Sequence, residues 1–283
     1  MSLRKPVAAG YFYEGVKESL IKRIEWSFTH KLGPGTLPKP SEVRSKESLG
    51  FVVPHAGYVY SGPIAAHSYA RMALEGRPDT FIILGPNHAG VGETVSVWDE
   101  GGWETPLGHV SVDEDLAKEV IKNSQYARPD KLVHYDEHSI EVQLPFLQYL
   151  FREVNIVPIA ITYQIPEVSK DLAMSISKSV AELGKDVVLI ASTDLTHYVP
   201  HESAVKKDQL ILEKVRALDP EGLFDVVTRR YITMCGVAPV MTLLYYASLS
   251  RSPGVEILKY ATSGEVSGDK SHVVGYSAIR VLK

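Results

Sequence analysis

A single cysteine, Cys235, stands in a chain of 283 residues. That scarcity excludes an internal disulfide and any structural zinc site made of cysteines alone, so Cys235 is either a small buried hydrophobe or a functional thiol. Long apolar runs are missing as well. No stretch reaches the roughly eighteen residues that a membrane-crossing helix requires, and the opening MSLRKPVAAGYFYEG lacks the apolar run of a signal peptide. A soluble, cytoplasmic protein without a membrane partner is the resulting expectation. A large excess of one sign of charge is missing too: 30 Lys and Arg against 34 Asp and Glu leave a formal charge of −4, which gives no electrostatic reason to expect nucleic acid as a partner. The glycine-rich segments contain neither a Walker loop nor a dinucleotide fingerprint, HExxH and short Cys/His clusters are absent, and no repeat of solenoid length occurs.

What is present is an alternation. Apolar runs of strand length, at 49–53, 80–84, 94–98, 155–161, 187–192, 255–261 and 273–281, are separated by segments of helical period at 64–74, 113–123, 140–151, 168–183, 203–217, 220–229 and 237–250. This predicts an α/β fold with a mostly parallel central sheet and helices on both faces. Residues 94–112 read instead as a hairpin connected by WDEGGWETPLG, which adds an antiparallel strand pair. Residues 33–48, rich in Pro, Ser and charge, read as an exposed loop, and residues 1–283 as one domain.

Three of the apolar runs end in polar, titratable residues: FIILGPNHAG reaches His88, LGFVVPHAGY reaches His55, and DVVLIASTDLTH reaches Asp194 and His197. In open parallel sheets ligands bind beyond the carboxyl ends of the strands, so these side chains are aimed at one rim. Gly57, Gly85 and Gly90 let the backbone turn sharply or approach a ligand closely there. Such a set suits a Zn or Fe(II) site of two imidazoles and one anionic ligand. It equally suits a general base with its orienting partner. Taken singly, each histidine has a plainer explanation as a hydrogen-bonder of its own turn. Convergence is what argues for a site.

In YDEHSIEVQLPFLQYL, Asp136 or Ser139 caps a helix, Pro145 kinks it or lies near its start, and His138 sits at its amino end, where the dipole favours a neutral imidazole. The plain alternative has His138 capping the turn and Glu141 solvated.

PHAGYVYSG, LGPNHAG, DEHSIEVQLPFL, STDLTHY and MCG, in that order, resemble the Memo family, and the likeness runs from AAGYFYEG to the final strand. The family is similar in fold to the class III extradiol dioxygenases, whose non-haem Fe(II) is held by two histidines and a carboxylate. The resemblance implies His55 and His88 as metal ligands, with Cys235 where the dioxygenases place their carboxylate. It implies His197 as the acid/base, Asp194 and His138 as catalytic groups lining or orienting the pocket, and Tyr60 as a substrate-binding group. Iron is the expected cofactor, with copper or zinc as alternatives, because a thiolate is softer than a carboxylate. Three readings follow: a metal-dependent oxidoreductase of dioxygenase-like type, a metal-binding protein without turnover, and a scaffolding protein that holds a peptide in a vestigial pocket. The expected ligand is a small molecule or a peptide. Tyr-rich segments such as LLYYASL suit an oligomer interface as well as a core.

Overall fold

The computed structural model describes residues 2–283. In chain order its elements are β1 (Leu3–Arg4), α1 (Lys17–Thr29), β2 (Ser48–Val53), α2 (Tyr58–Glu75), β3 (Thr80–Pro86), β4 (Val95–Val97), β5 (Gly102–Thr105), β6 (Gly108–Val112), α3 (Glu114–Asn123) and β7 (Ala127–Pro129). They continue with two 3₁₀ turns (Val133–Tyr135 and Glu141–Gln143), α4 (Leu144–Leu150), β8 (Asn155–Ile161), α5 (Pro166–Leu183), β9 (Val187–Ser192), β10 (His197–Val199), α6 (His201–Arg216), α7 (Pro220–Arg229), α8 (Val237–Leu249), β11 (Val255–Thr262), α9 (Ser263–Ser267) and β12 (Val273–Leu282).

One sheet carries the strands, in the order β1-β5-β6-β8-β3-β9-β2-β12-β10, with β11 beside β12 and β4 between β7 and β8. Its centre, β8-β3-β9-β2, is parallel. Every residue of β2, β3 and β9 is buried, as expected for strands covered on both faces and written as continuous apolar runs. α1, α2 and α4 pack together as one layer, and α3, α5, α7 and α8 as another. The expected α/β architecture with an antiparallel pair is therefore present. Among the described residues no helix is long and apolar enough to cross a membrane.

The details depart from expectation in five places. The hairpin is tighter than 94–112: its arms are β5 and β6, while β4 pairs antiparallel with β8. Antiparallel pairing also joins β12 to β2, β10 and β11. α1 was not expected, although Leu20, Ile24, Ser27 and Phe28 form its buried stripe at helical spacing. α2 begins at Tyr58 rather than at 64, with Pro63 inside it. There packing outweighs the lost backbone bond, because Gly62 lies against Ser27 of α1 so closely that a Cβ would collide with its hydroxyl. The helix expected over 140–151 is a 3₁₀ turn followed by α4, with Pro145 in the first turn of α4 and no side-chain cap.

Candidate metal centre

The parallel register aligns three strand ends. Val53 of β2 lies beside Ser192 of β9, and Leu84 of β3 beside Ala191. His55, His88 and Asp194 each follow two residues after their strand ends, so one rim receives all three. Cys235 arrives on the turn before α8. There Gly236 is required by close approach: a Cβ would collide with the Ser192 carbonyl oxygen and lie 2.6 Å from Thr193 Cβ. Gln164 clamps the same turn, donating to the Cys235 carbonyl at 2.7 Å and accepting the Ala238 N–H at 2.9 Å. Gly57, by contrast, has an ordinary φ of −52° and no close neighbour.

His55 is buried between two partners. Its Nδ1 lies 2.9 Å from Ser192 Oγ, and its Nε2 lies 3.2 Å from Cys235 Sγ. Burial pushes its pKa down to about 3, and the neighbouring His88 adds to the shift, so the ring is neutral at physiological pH. Burial raises the Cys235 thiol well above its ordinary value, and the Asp194 charge raises it further. Asp194 accepts the His55 backbone N–H at 2.9 Å, and its own N–H points at Cys235 Sγ from 3.2 Å. Burial pushes the Asp194 carboxyl up. This aspartate braces the loop that carries His55.

His88 is held by a carboxylate. Glu137, fully enclosed, accepts the His88 backbone N–H at 2.6 Å, Nδ1–H at 3.0 Å and the Ser139 N–H at 2.7 Å. Burial alone would raise the Glu137 pKa, but the hydrogen bond and charge of His88 outweigh it and hold the group at about 2. Burial alone would lower the pKa of His88; Glu137 outweighs that too and raises it. His138 stacks on His88, with ring centroids 4.6 Å apart, and Phe12 stacks on the His138 ring at 4.1 Å. Burial, then the nearby His55, pushes the pKa of His138 down to about 4, which keeps it neutral.

An amino-terminal strap supports this wall. The buried Arg4 donates to the His134 carbonyl at 2.5 Å and the Glu137 carbonyl at 2.7 Å, and pairs with the Glu141 carboxylate at 2.5 Å. Glu141 also accepts the Val7 and Ala8 N–H groups, each at 2.9 Å, and the Tyr13 hydroxyl at 2.5 Å. Glu141 is thus buried, contrary to the solvated role considered for it. Its counter-charge comes from the far end of the chain. Phe12 reaches His138 from within this strap.

The donor atoms of His55, His88 and Cys235 all lie within 4.8 Å of one another. His55 Nε2 and Cys235 Sγ lie 3.2 Å apart, close enough for one ion to be held by both. Both imidazoles have Nδ1 engaged by a partner other than Cys235, and the Nε2 of His55 faces the Cys235 sulfur, the arrangement usual for ligating histidines. The residues therefore fit a metal ion. His88, Glu137 and His138 form a second such grouping, but there the carboxylate is already occupied by three N–H donors.

The family model described as "Memo-like protein" matches residues 4–280. The chain belongs to the Memo family. It is 51% identical to a "MEMO1 family protein" of Sulfurisphaera tokodaii, covering 98% of this chain and 99% of that one. It is also 51% identical to one of Ignicoccus hospitalis, covering 99% of each. Among solved structures it is similar in fold, at a TM-score of 0.52 and 13% identity, to an uncharacterised Escherichia coli K12 protein, JW3007, over 81% of this chain and 98% of that one.

In this Memo-family chain, His55, His88, His138, Asp194, His197, Tyr60 and Cys235 all line one cleft of about 770 Å³. His197 is fixed on the Cys235 turn: its Nδ1 lies 2.7 Å from the Thr233 carbonyl, and its backbone N–H donates to Thr233 Oγ1 at 2.7 Å. Tyr60 stands exposed at the mouth. Sequence reasoning passed over Phe12, Glu137, Gln143 and Ser192. All four lie inside quoted motifs, Phe12 in AAGYFYEG, Glu137 and Gln143 in DEHSIEVQLPFL and Ser192 in STDLTHY, but only Glu137 adjoins a predicted site histidine, His138.

Proposed function

We propose that this chain binds one transition-metal ion through His55 Nε2, His88 Nε2 and Cys235 Sγ, and that the centre serves redox chemistry on a small molecule in the cleft. The observation that carries this reading is the approach of three donors, from three separate segments, to within 4.8 Å. Iron(II) suits two imidazoles and one anionic ligand with positions left open, while the thiolate also suits copper or zinc. When bound, the ion supplies Lewis acidity and open coordination positions for the reactants. It would also favour the Cys235 thiolate, which burial otherwise disfavours.

The chain's own residues supply the rest. The Thr233 carbonyl fixes His197 with Nδ1 protonated, leaving Nε2 as the atom that takes a proton from a substrate hydroxyl. Tyr60 offers a hydroxyl at the cleft mouth, and the Phe12–His138–His88 stack forms an apolar-faced wall. Asp194 and His138 complete the polar lining.

Cobalt(II) titration of the ion-free chain tests the assignment. The expected result is a thiolate-to-cobalt absorption band at one equivalent, lost in Cys235→Ser and in His55→Ala but kept in His197→Gln. A wild-type chain that shows no such band, or a Cys235→Ser chain that keeps it, contradicts the ligand set. A peptide or protein ligand held equally by wild type and Cys235→Ser would assign the cleft to metal-independent binding.

A further inference from the structure

We infer that Ser192 and Gln143 are positioning residues that lock His55 in its Nδ1–H tautomer, turning the bare Nε2 toward Cys235 and the cleft. The functional meaning of the lock rests on His55 being a ligand. The tautomer itself is a property of the chain without any ion.

The protons around one hydroxyl fix the tautomer. Ser192 Oγ has three polar neighbours: the Ser139 carbonyl at 2.7 Å, Gln143 Nε2 at 2.8 Å and His55 Nδ1 at 2.9 Å. A hydroxyl has one proton and two lone pairs. The Ser139 carbonyl can only accept, so it takes the proton; leaving a buried carbonyl unpaired costs about 1–3 kcal/mol. The orientation of the Gln143 amide follows from its other contacts. Nε2 also faces the Pro54 carbonyl at 3.2 Å, while Oε1 receives the Tyr69 hydroxyl. A reversed amide would set two acceptors, Oε1 and the Pro54 oxygen, against each other. Gln143 therefore donates to Ser192 and uses one of its lone pairs. The remaining lone pair faces His55 Nδ1, which must bring the proton. Nε2 is then unprotonated and points at Cys235 Sγ, 3.2 Å away.

The other cleft histidines follow the same rule by different means. Glu137 receives Nδ1–H of His88, and the Thr233 carbonyl receives Nδ1–H of His197. All three rings keep Nε2 bare, but a carboxylate backs only His88. His55 is backed by a neutral hydroxyl whose own proton is spent elsewhere. It is therefore the less basic of the two imidazole donors.

Two-bond ¹H–¹⁵N correlation spectra of the ion-free full chain labelled with ¹⁵N-histidine read the tautomer directly, with the His55 signals assigned by their loss in His55→Gln. The wild type is expected to show His55 as the Nδ1–H form alone. In Ser192→Ala, the ring loses its acceptor, the population moves toward Nε2–H, and zinc affinity measured by competition falls about 10- to 100-fold. An Nε2–H ring in the wild type overturns the inference. A folded Ser192→Ala chain that keeps the Nδ1–H form, or one whose tautomer shifts with zinc affinity unchanged, also overturns it. Should Ser192→Ala fail to fold, the wild-type spectrum still decides the tautomer. A wild-type chain in the Nδ1–H form that takes up neither zinc nor iron supports the lock while removing the metal reading, so the two claims fail separately.

Discussion

Replacing Arg4 by Met should be among the most damaging single changes outside the cleft. The guanidinium and the Glu141 carboxylate are both fully buried and 2.5 Å apart. Removing Arg4 leaves that carboxylate with three donors, the Val7 and Ala8 N–H groups and the Tyr13 hydroxyl, but without a counter-charge. It also strips a donor from the carbonyls of His134 and Glu137. Breaking a buried pair from one side costs about 3–5 kcal/mol, a large share of a typical total of about 5–15 kcal/mol. Arg4→Met/Glu141→Gln removes both charges and keeps most of the volume. It should cost about 2 kcal/mol less than the sum of the two single changes, because the uncompensated charge is gone. Urea unfolding of the ion-free wild type, both single variants and the double variant closes the cycle. A cost below about 1 kcal/mol for Arg4→Met, or strict additivity in the double variant, would refute the claim that the strap is held by this pair.

Three further outcomes follow from the site. Glu137→Gln should weaken metal binding about 10- to 100-fold by competition titration, since the Nδ1–H of His88 loses its carboxylate; unchanged affinity would deny Glu137 its orienting role. In the ion-free chain Cys235 should react with iodoacetamide at pH 8 at least about tenfold more slowly than a free cysteine, because burial and the Asp194 charge raise its thiol. Because the thiol is raised, its rate should increase as the pH rises above 8. Gly236→Ala should destabilise the fold by about 1–3 kcal/mol in thermal melts, since its Cβ would meet the Ser192 carbonyl and Thr193; a neutral outcome would show that the turn before α8 gives way freely.

The sheet core was legible because burial on both faces writes β2, β3, β8 and β9 as unbroken apolar runs. The rim followed from it: once those runs are parallel strands, His55, His88 and Asp194 must meet at their carboxyl ends. The bounds of β8, β9 and α7 match expectation residue for residue. What stayed hidden depends on contacts between distant residues. Glu141 looks like a solvated helix-start carboxylate until Arg4, 137 positions away, is found against it. Ser192 reads as the last residue of a strand and Gln143 as one turn of a helix, and nothing local indicates that their side chains meet 49 residues apart behind His55. β4 shows the same limit: a hairpin with β6 is the natural reading of the sequence, but β4 pairs with β8, where Val95 and Val97 are fully buried.

Metal content is the most direct test of the central claim. Inductively coupled plasma mass spectrometry on the chain purified without oxygen, beside His55→Ala and Cys235→Ser, should find close to one equivalent of iron, or of copper or zinc, in the wild type and little in either variant. A wild-type chain that stays empty after anaerobic reconstitution with each of these ions would contradict the metal centre at His55, His88 and Cys235.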